Sequence, residues 1–357
     1  MWSFGPILIG LCFEASAAPP SEVVVHEWGT FTAVVGPEGT PIPWYPLSEP
    51  SDLPDFVHLW KPHGKDALGP TTIRMETPVV YVHSPTATTL DVRVAFTPAV
   101  LGAMTEWYPN AADDRNTLEW KNLRVDPSDR RKLPNDHTNS HYYPARNVDA
   151  AMLTTPEGEF DKMLFYRGVA SFDLPVRVTL NADGLTASGE VGRMLAVEKR
   201  GDHLAFAELI PNHATARPFH PGTQDGAEEL LFDMLVSSGL YDDEARAMLD
   251  TWEHTWFEDG LRVLYVVPHD NVETWMPLTV TPAPKSLARV LIGRVEVLTP
   301  EIQADIRSLL HGGAPEQTAS LFRAHYPRLA QPALQRLSQE GDPAAAAVLG
   351  LLQAFER

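Results

Sequence analysis

The feature that most constrains the fold is a series of short apolar runs, rich in β-branched residues, between Val23 and Ile210. Such runs, when turn residues separate them, are typical of β-strands. The pair Asp183-Gly184 between two alternating runs predicts a hairpin. Short strands at this spacing predict a sandwich-like β domain. The predicted strands are Val23–Val25, Thr30–Val35, Pro78–Val82, Leu90–Phe96, Leu118–Val125, Met163–Val169, Val176–Leu180, Leu185–Val191 and Leu204–Ile210.

The pattern changes after Pro211, where apolar residues recur at helical spacing. We predict two helices, then strands, then a run of short helices from Pro300 onward. The fold class is therefore α+β, with a β-rich sandwich-like domain (19–210), a helix-helix-strand segment of mixed α/β character packed on it (211–299) and a helical C-terminal tail (300–357). The predicted elements after Pro211 are Gly226–Ser238, Asp242–Glu258, Leu261–Val267, Met276–Thr281, Ala288–Leu298, Glu301–Leu310, Gln317–His325, Ala330–Glu340 and Ala344–Phe355.

Residues 1–18 are typical of a signal peptide. An apolar run from Ile7 to Phe13 is followed by an Ala-Ser-Ala sequence, which a signal peptidase accepts. The run is too short to span a bilayer, and no other stretch of the chain is long and apolar enough. We therefore expect an exported protein without a membrane span, located in the periplasm or outside the cell.

Cysteine content and charge exclude several classes of function. Cys12 is the only cysteine and lies in the predicted signal peptide, so we expect no disulfide, thiolate metal site or cysteine nucleophile. At 357 residues the chain can bury a large core without crosslinks. The net charge of −19, with no basic stripe, disfavours nucleic acid and anionic membranes as partners.

Six sequence blocks stand out: His26-Glu27-Trp28-Gly29-Thr30-Phe31-Thr32, Met75-Glu76-Thr77-Pro78-Val79, Thr105-Glu106-Trp107-Tyr108-Pro109, His141-Tyr142-Tyr143-Pro144-Ala145-Arg146, Leu164-Phe165-Tyr166-Arg167-Gly168 and Trp256-Phe257-Glu258-Asp259-Gly260-Leu261-Arg262. Together they resemble a group of uncharacterised exported bacterial proteins that open with an HEWGTFT-type block. The resemblance spans roughly residues 25 to 300 and leaves out the C-terminal tail. It implies export and brings no activity, because none is known for the group. Asn147 departs from the group, which has an acidic residue after the Ala-Arg pair.

Three ionisable residues lie in or beside predicted strands. Neighbours on a strand point to opposite faces, so His26 and Glu27 are not expected to enter one site. Glu76 precedes an apolar strand, where a carboxylate is costly unless it is paired or binds a metal. It can therefore be a metal ligand, a catalytic base, or the ion-pair partner of an arginine such as Arg74 or Arg167.

The segment from His141 to Asp149 combines imidazole, phenol, guanidinium and carboxylate groups. Arg146 can hold a carboxylate or sulfate through two hydrogen bonds. Arg167, next to Tyr166 at the end of a predicted strand, offers a second guanidinium of this kind. The alternative is a buried network of Arg, Glu and Tyr side chains that holds two sheets in register.

The sequence contains no Ser-hydrolase elbow, H-E-x-x-H, P-loop or dinucleotide motif. Three hypotheses about the function remain. The first is extracellular or periplasmic binding of a small molecule, glycan or peptide by aromatic residues near predicted loops, namely Trp44, Tyr45, Trp60, Trp107 and Tyr108. The alternative is a metal-dependent enzyme of the hydrolase type. The third is a structural envelope protein whose C-terminal helices dock a protein partner.

The metal hypothesis assigns specific roles. The ion is a divalent metal such as zinc, because histidine and carboxylate are the strong ligands of a chain without usable thiols. The proposed metal ligands are His26, Glu76, His141 and Asp149. The proposed catalytic and substrate-orienting residues are Glu76, Arg146, Tyr166 and Arg167.

Overall fold

A computed structural model describes residues 22–44, 53–60 and 69–354, so the predicted signal peptide lies outside the described residues. The described chain is of the α+β class, as predicted. Its strands are β1 (Val24–Val35), β2 (His58–Leu59), β3 (Ile73–His83), β4 (Thr88–Ala95), β5 (Leu101–Tyr108), β6 (Ala112–Asp114), β7 (Thr117–Asp126), β8 (Met152–Thr154), β9 (Phe160–Asp161), β10 (Leu164–Ser171), β11 (Arg177–Asn181), β12 (Gly184–Ser188), β13 (Met194–Arg200), β14 (His203–Leu209), β15 (Ala214–Thr215), β16 (His220–Pro221), β17 (Gly260–Val266), β18 (Leu278–Thr281) and β19 (Ser286–Val297). Its α-helices are α1 (Gln224–Ser237), α2 (Asp242–Trp256), α3 (His269–Trp275), α4 (Pro300–Leu310), α5 (Pro315–His325), α6 (Ala330–Gln339) and α7 (Pro343–Ala354).

A ten-stranded sheet forms the centre of the fold, in the order β16-β14-β13-β17-β19-β1-β3-β10-β5-β2. β1 lies near its middle, parallel to β19 and antiparallel to β3. Every residue of β1 from Val25 to Val35 is buried. Both faces of the sheet are therefore covered, and alternate residues of β1 enter different cores.

The first core lies between this sheet and two smaller sheets, which gives the predicted sandwich-like arrangement. One smaller sheet contains β18, β4, β7, β8 and β9, with β6 paired to β7, and the other contains β11, β12 and β15. Phe31 of β1 shares a cluster with Val92 and Trp120 of one small sheet and Val178 of the other. We call this cluster the inter-sheet core.

Helices cover the opposite face of the ten-stranded sheet. Trp28 of β1 packs in a second cluster with Leu231 of α1 and with Met248 and Trp252 of α2, which we call the helix-side core. The apolar faces of α4 to α7 form a third cluster with Val34 of β1. No helix in the described part of the chain is long and apolar enough to cross a membrane.

The ten-stranded sheet contains strands from both sides of residue 210, where we predicted a boundary between two segments. β17 and β19 lie between β13 and β1, so strands from residues 211–299 occupy the centre of the sheet formed by residues 19–210. β5 and β13 were not predicted as strands. The hairpin of β11 and β12 forms at the predicted place, where Asn181 pairs with Gly184.

Candidate functional site

Three side chains from distant parts of the chain meet on the helix-covered face of the ten-stranded sheet. His26 Nδ1 and His83 Nε2 lie 2.7 and 2.8 Å from the two carboxylate oxygens of Glu244. One ligand atom from each residue lies within 4.8 Å of the other two, an arrangement that could hold a metal ion. We call this group the His–His–Glu site.

The register of two antiparallel strands places the histidines together. Val24 of β1 pairs with His83 of β3, and His26 pairs with Tyr81. Alternate residues of a strand share one face, so His26 and His83 are diagonal neighbours on the same face of the sheet. That face is the one that α2 covers.

The first turn of α2 supplies the carboxylate. Glu244 is the third helical residue, and its Oε2 accepts the backbone N–H of Tyr241 at 2.8 Å, as in a capping box. The Tyr241 ring packs edge-on against His26 and His83, with centroid distances of 4.5 and 5.0 Å. Because Tyr241 is 46% exposed, the site lies just beneath the protein surface.

The electrostatics of the site favour an ionised carboxylate. Burial raises the pKa of Glu244, but hydrogen bonds from His26, His83 and the Tyr241 backbone lower it further than burial raises it. An ionised carboxylate only accepts hydrogen bonds, so each imidazole donates an N–H to it. A metal ion would take the place of these two hydrogens.

The ligand set suits zinc and related transition metals. Two imidazole nitrogens and one carboxylate oxygen leave a fourth tetrahedral position open, which is typical of catalytic zinc. Tetrahedral zinc with bonds of about 2.1 Å separates its ligand atoms by about 3.4 Å. The His26–Glu244 and His83–Glu244 separations of 2.7 and 2.8 Å would therefore have to widen by roughly 0.6 Å.

The predicted ligand set does not converge. Of His26, Glu76, His141 and Asp149, only His26 belongs to a group of three described ligand side chains that could hold an ion. Asp149 is exposed, and its backbone N–H donates to the Asp243 carboxylate at 2.8 Å. The described structure therefore does not bring these four residues together in one site.

Sequence reasoning missed His83 and Glu244. The predicted strand ended at Val82, one residue before His83, although a longer strand would place His83 on the face of Tyr81. Glu244 has the ordinary role of an acidic residue in the first turn of a helix. Its two histidine partners can be found only once the strand register and the position of α2 are known.

Glu76 pairs with arginine side chains. Arg328 Nη2 donates to Glu76 Oε1 at 3.0 Å, and Thr32 Oγ1 donates to Oε2 at 2.5 Å. Arg74 Nε lies 3.6 Å from Oε1. Burial raises the pKa of Glu76, but these cationic neighbours, with Arg294, bring it down to about 2.

The Glu76–Arg328 pair continues into a chain of buried charges. Arg328 Nη1 and Arg294 Nη2 donate to Glu258 Oε1 at 3.0 and 2.7 Å. Arg294 Nε and Arg262 Nε donate to Glu296 Oε1 at 2.6 and 2.8 Å. We call this set, with Glu76, the arginine–glutamate network. It joins the sheet, the residues after α2 and the segment before α6.

His141 and Arg167 meet each other, away from His26. Arg167 Nη2 donates to His141 Nε2, which also lies 3.2 Å from Thr77 Oγ1. The His141 ring stacks on Trp252 of α2 with a centroid distance of 5.6 Å. Thr77 has a φ of +46° and lies where the β1–β3 register shifts, so a buried non-glycine residue holds a left-handed conformation there.

Arg146 is held by a carboxylate of its own chain. Its Nε donates to Asp161 at 3.0 Å, and the two side chains are 7% and 0% exposed. The Tyr142 hydroxyl donates to Asp161 at 2.7 Å, and Arg146 Nη1 donates to the Pro134 carbonyl at 2.5 Å. These contacts connect the loop before Arg146 to β9 and occupy the guanidinium.

Tyr166 lies on the inter-sheet face, opposite the His–His–Glu site. Its hydroxyl donates to Glu27, and Arg289 Nε donates to the same carboxylate at 2.6 Å. Arg289 also donates to Glu273 of α3 at 2.7 Å. His26 and Glu27 thus point to opposite faces of β1, and Tyr166 belongs to a buried network rather than to an open site.

A separate cavity opens at the edge of the ten-stranded sheet, where β2 is the last strand. Its volume is about 610 Å³. The side chains that line it include Asp55, His58, Leu59, Trp60, Trp107 and Asp113. Of the aromatic residues predicted to contact a ligand, Trp60 and Trp107 lie here, Trp44 and Tyr108 are buried in the protein, and Tyr45 is outside the described residues.

Comparison with known proteins gives little support for any assignment. No family model matches the chain, and no curated protein matches it in sequence. Among solved structures, it is similar to the Mu homology domain of zebrafish (Danio rerio) Fcho1, solved with a bound Eps15 peptide. The two share 8% identity with a TM-score of 0.30, over 79% of this chain and 99% of that one. This TM-score is too low to carry an argument about fold or function.

Proposed function

We propose that the protein is a metal-dependent enzyme of the hydrolase type, with its ion at the His–His–Glu site. One observation carries the proposal: His26, His83 and Glu244 bring two imidazole nitrogens and a carboxylate within 4.8 Å of one another. The residue types and the number of ligands are those of a catalytic zinc ion with an open position. From the pattern of residues 1–18 we also propose that the protein works outside the cytoplasm.

The position of the site supports access for an ion and a substrate. Glu244 and His26 are buried, but the His83 side chain is 17% exposed and Tyr241 is 46% exposed. An ion held by these three residues would lower the pKa of a bound water and polarise a carbonyl or phosphoryl oxygen. The exposed Tyr241 ring packs against both histidines, so we expect it to contact a substrate that reaches the ion.

The test is the metal content of the protein, purified without a histidine tag or chelator and measured by mass spectrometry. We expect near one transition-metal ion per chain, and strong loss in His83→Ala and Glu244→Gln. His254→Ala and Glu253→Gln are matched controls, because both residues are exposed on the same helix. Equal metal content in the site variants and the parent, with circular dichroism showing intact folding, would overturn the proposed metal site.

The enzymatic part of the proposal needs its own readout. We expect the metal-loaded protein to hydrolyse a simple p-nitrophenyl ester or phosphate, and we expect chelation or Glu244→Gln to abolish this turnover. A protein that binds one ion per chain but turns over none of these substrates would retain the metal site and contradict the assignment as a hydrolase.

A second candidate function is the binding of a glycan or peptide, and the cavity beside β2 favours it. Its volume of about 610 Å³ is in the range of small-molecule sites. Two tryptophans and two aspartates contribute to its lining. Binding of a saccharide or peptide to the full chain by calorimetry, with loss in variants of these residues, is the test of this candidate.

A further inference from the structure

The cavity beside β2 is distinct from the His–His–Glu site. β2 is separated from β1 by β5, β10 and β3 in the order of the sheet. Four strand spacings of about 4.8 Å place the two strands roughly 19 Å apart. A ligand in this cavity therefore does not need the metal site, and the two sites can be tested independently.

Flat side chains form one part of the cavity wall. The backbone N–H of Trp60 donates to the Thr105 carbonyl at 2.8 Å, which ties the backbone at Trp60 to β5. The His58 ring is nearly parallel to the Trp107 ring, at 22° with a centroid distance of 6.4 Å. His58 Nε2 lies 2.9 Å from a Glu159 oxygen, so the orientation of this imidazole is set before any ligand binds.

The polar part of the wall is acidic. Asp55 and Asp113 are exposed at the cavity and carry carboxylates, which accept hydrogen bonds from donors. Arg115 brings a positive charge to the same place, because its guanidinium lies 5.8 Å from the centroid of the Trp60 ring. A ligand that fits the two aspartates and Trp60 has hydrogen-bond donors at its edge and an apolar face that can lie on an aromatic ring.

We propose that this cavity binds a neutral saccharide, with Trp60 contacting the apolar face of a sugar ring and Asp113 accepting its hydroxyl groups. The proposal rests on the second candidate function and names its ligand class. A peptide is disfavoured because β2 contains two residues, His58 and Leu59. An added strand would therefore find few backbone partners along this edge.

The experiment is isothermal titration calorimetry on the full mature chain. The probes are maltotriose, cellotriose and chitotriose, together with two unstructured decapeptides, one basic and one neutral. We expect at least one trisaccharide to bind and neither peptide to do so. Trp60→Ala should weaken that binding about tenfold through lost ring contact. Asp113→Asn should weaken it about tenfold through a lost charge-assisted hydrogen bond.

Control variants distinguish the possible outcomes of the titration. Asp114→Asn is the matched control, because Asp114 is exposed, follows Asp113 on β6 and does not line the cavity. If Trp60→Ala fails to fold, Trp60→Phe and Asp113→Asn carry the test. Peptide binding without saccharide binding overturns the saccharide proposal and keeps the binding function, whereas no binding by any probe contradicts both. Saccharide binding that neither variant weakens places the ligand elsewhere and also overturns the proposal.

Discussion

Arg328 Nη2 lies 3.0 Å from Glu76 Oε1, so a residue just before α6 neutralises a carboxylate on β3 near the centre of the sheet. The two side chains are 8% and 2% exposed. This contact gives the C-terminal tail an ionic connection to the sheet, beside the apolar cluster that α4 to α7 share with Val34.

Loss of this arginine should destabilise the whole fold. Arg328→Met leaves Glu76 and Glu258 with fewer cationic partners, and removing one partner of a buried ion pair costs about 3–5 kcal/mol. Arg307→Met is the matched control, because Arg307 is 52% exposed and its bond to Glu340 is a surface pair. Urea unfolding measures both variants. Equal midpoints for Arg328→Met and the parent would show that the contact contributes nothing to stability.

Glu76 should also make stability depend on acid pH. Its pKa falls from 4.5 in the unfolded chain to about 2 in the folded protein. A lowered pKa in the folded state stabilises the protein above pH 4.5, and this contribution disappears as the pH falls from 4.5 towards 2. The contribution is about 3 kcal/mol, as an order of magnitude.

Comparison of the parent with Glu76→Gln isolates the contribution of this residue to the pH dependence of stability. We expect the parent to lose more unfolding free energy between pH 5 and pH 2.5 than the glutamine variant does, as measured by urea titrations across that range. Parallel stability curves for the two proteins would mean that Glu76 is not held ionised by its arginines.

Zinc should raise the melting temperature of the protein, and a chelator should reverse the effect. A ligand that binds only the folded state at a thousand times its Kd stabilises it by about 4 kcal/mol. Glu244→Gln should melt at the same temperature with and without zinc, while His254→Ala should respond as the parent does. A zinc-induced shift that persists in Glu244→Gln would place the responsible ion at a different site.

Gly29 should tolerate no larger side chain. A Cβ at this position would come within 2.9 Å of Pro78 Cα and 3.0 Å of Leu291 Cδ1. Gly29→Ala should therefore destabilise the fold by about 1–3 kcal/mol through overpacking. Gly192→Ala should be near neutral, since nothing lies within 4 Å of its Cβ position. Thermal unfolding of the two variants decides the matter, and equal melting temperatures would contradict the close approach.

The sequence predicted the elements better than their arrangement. The two ends of β1 were predicted as separate strands, Val23–Val25 and Thr30–Val35, whereas the structure joins them through Trp28 and Gly29 as one buried strand. Alternation missed β5, where Gly102, Thr105 and Glu106 interrupt the apolar pattern. The position of β19 beside β1 is a long-range pairing, and local periodicity carries no information about such a partner.

The His–His–Glu site was predicted only in part, because its members come from distant parts of the chain. His26 was selected as a metal ligand from its sequence block, and it is one member of the His–His–Glu site. Glu76 and His141 were chosen by residue type, but Arg328 lies 252 residues from Glu76 in the chain, so its role could not be predicted locally. The partners of a buried charge depend on tertiary packing, which sequence spacing does not determine.

The parallel pairing of β1 with β19 has a consequence for synthesis. β1 ends at Val35 and β19 begins at Ser286, so about 250 residues must be made before the two strands can pair. At roughly 5–20 residues per second, the β19-facing edge of β1 stays open for about 12–50 s. During that interval the nascent chain would expose an apolar strand edge that other chains can join.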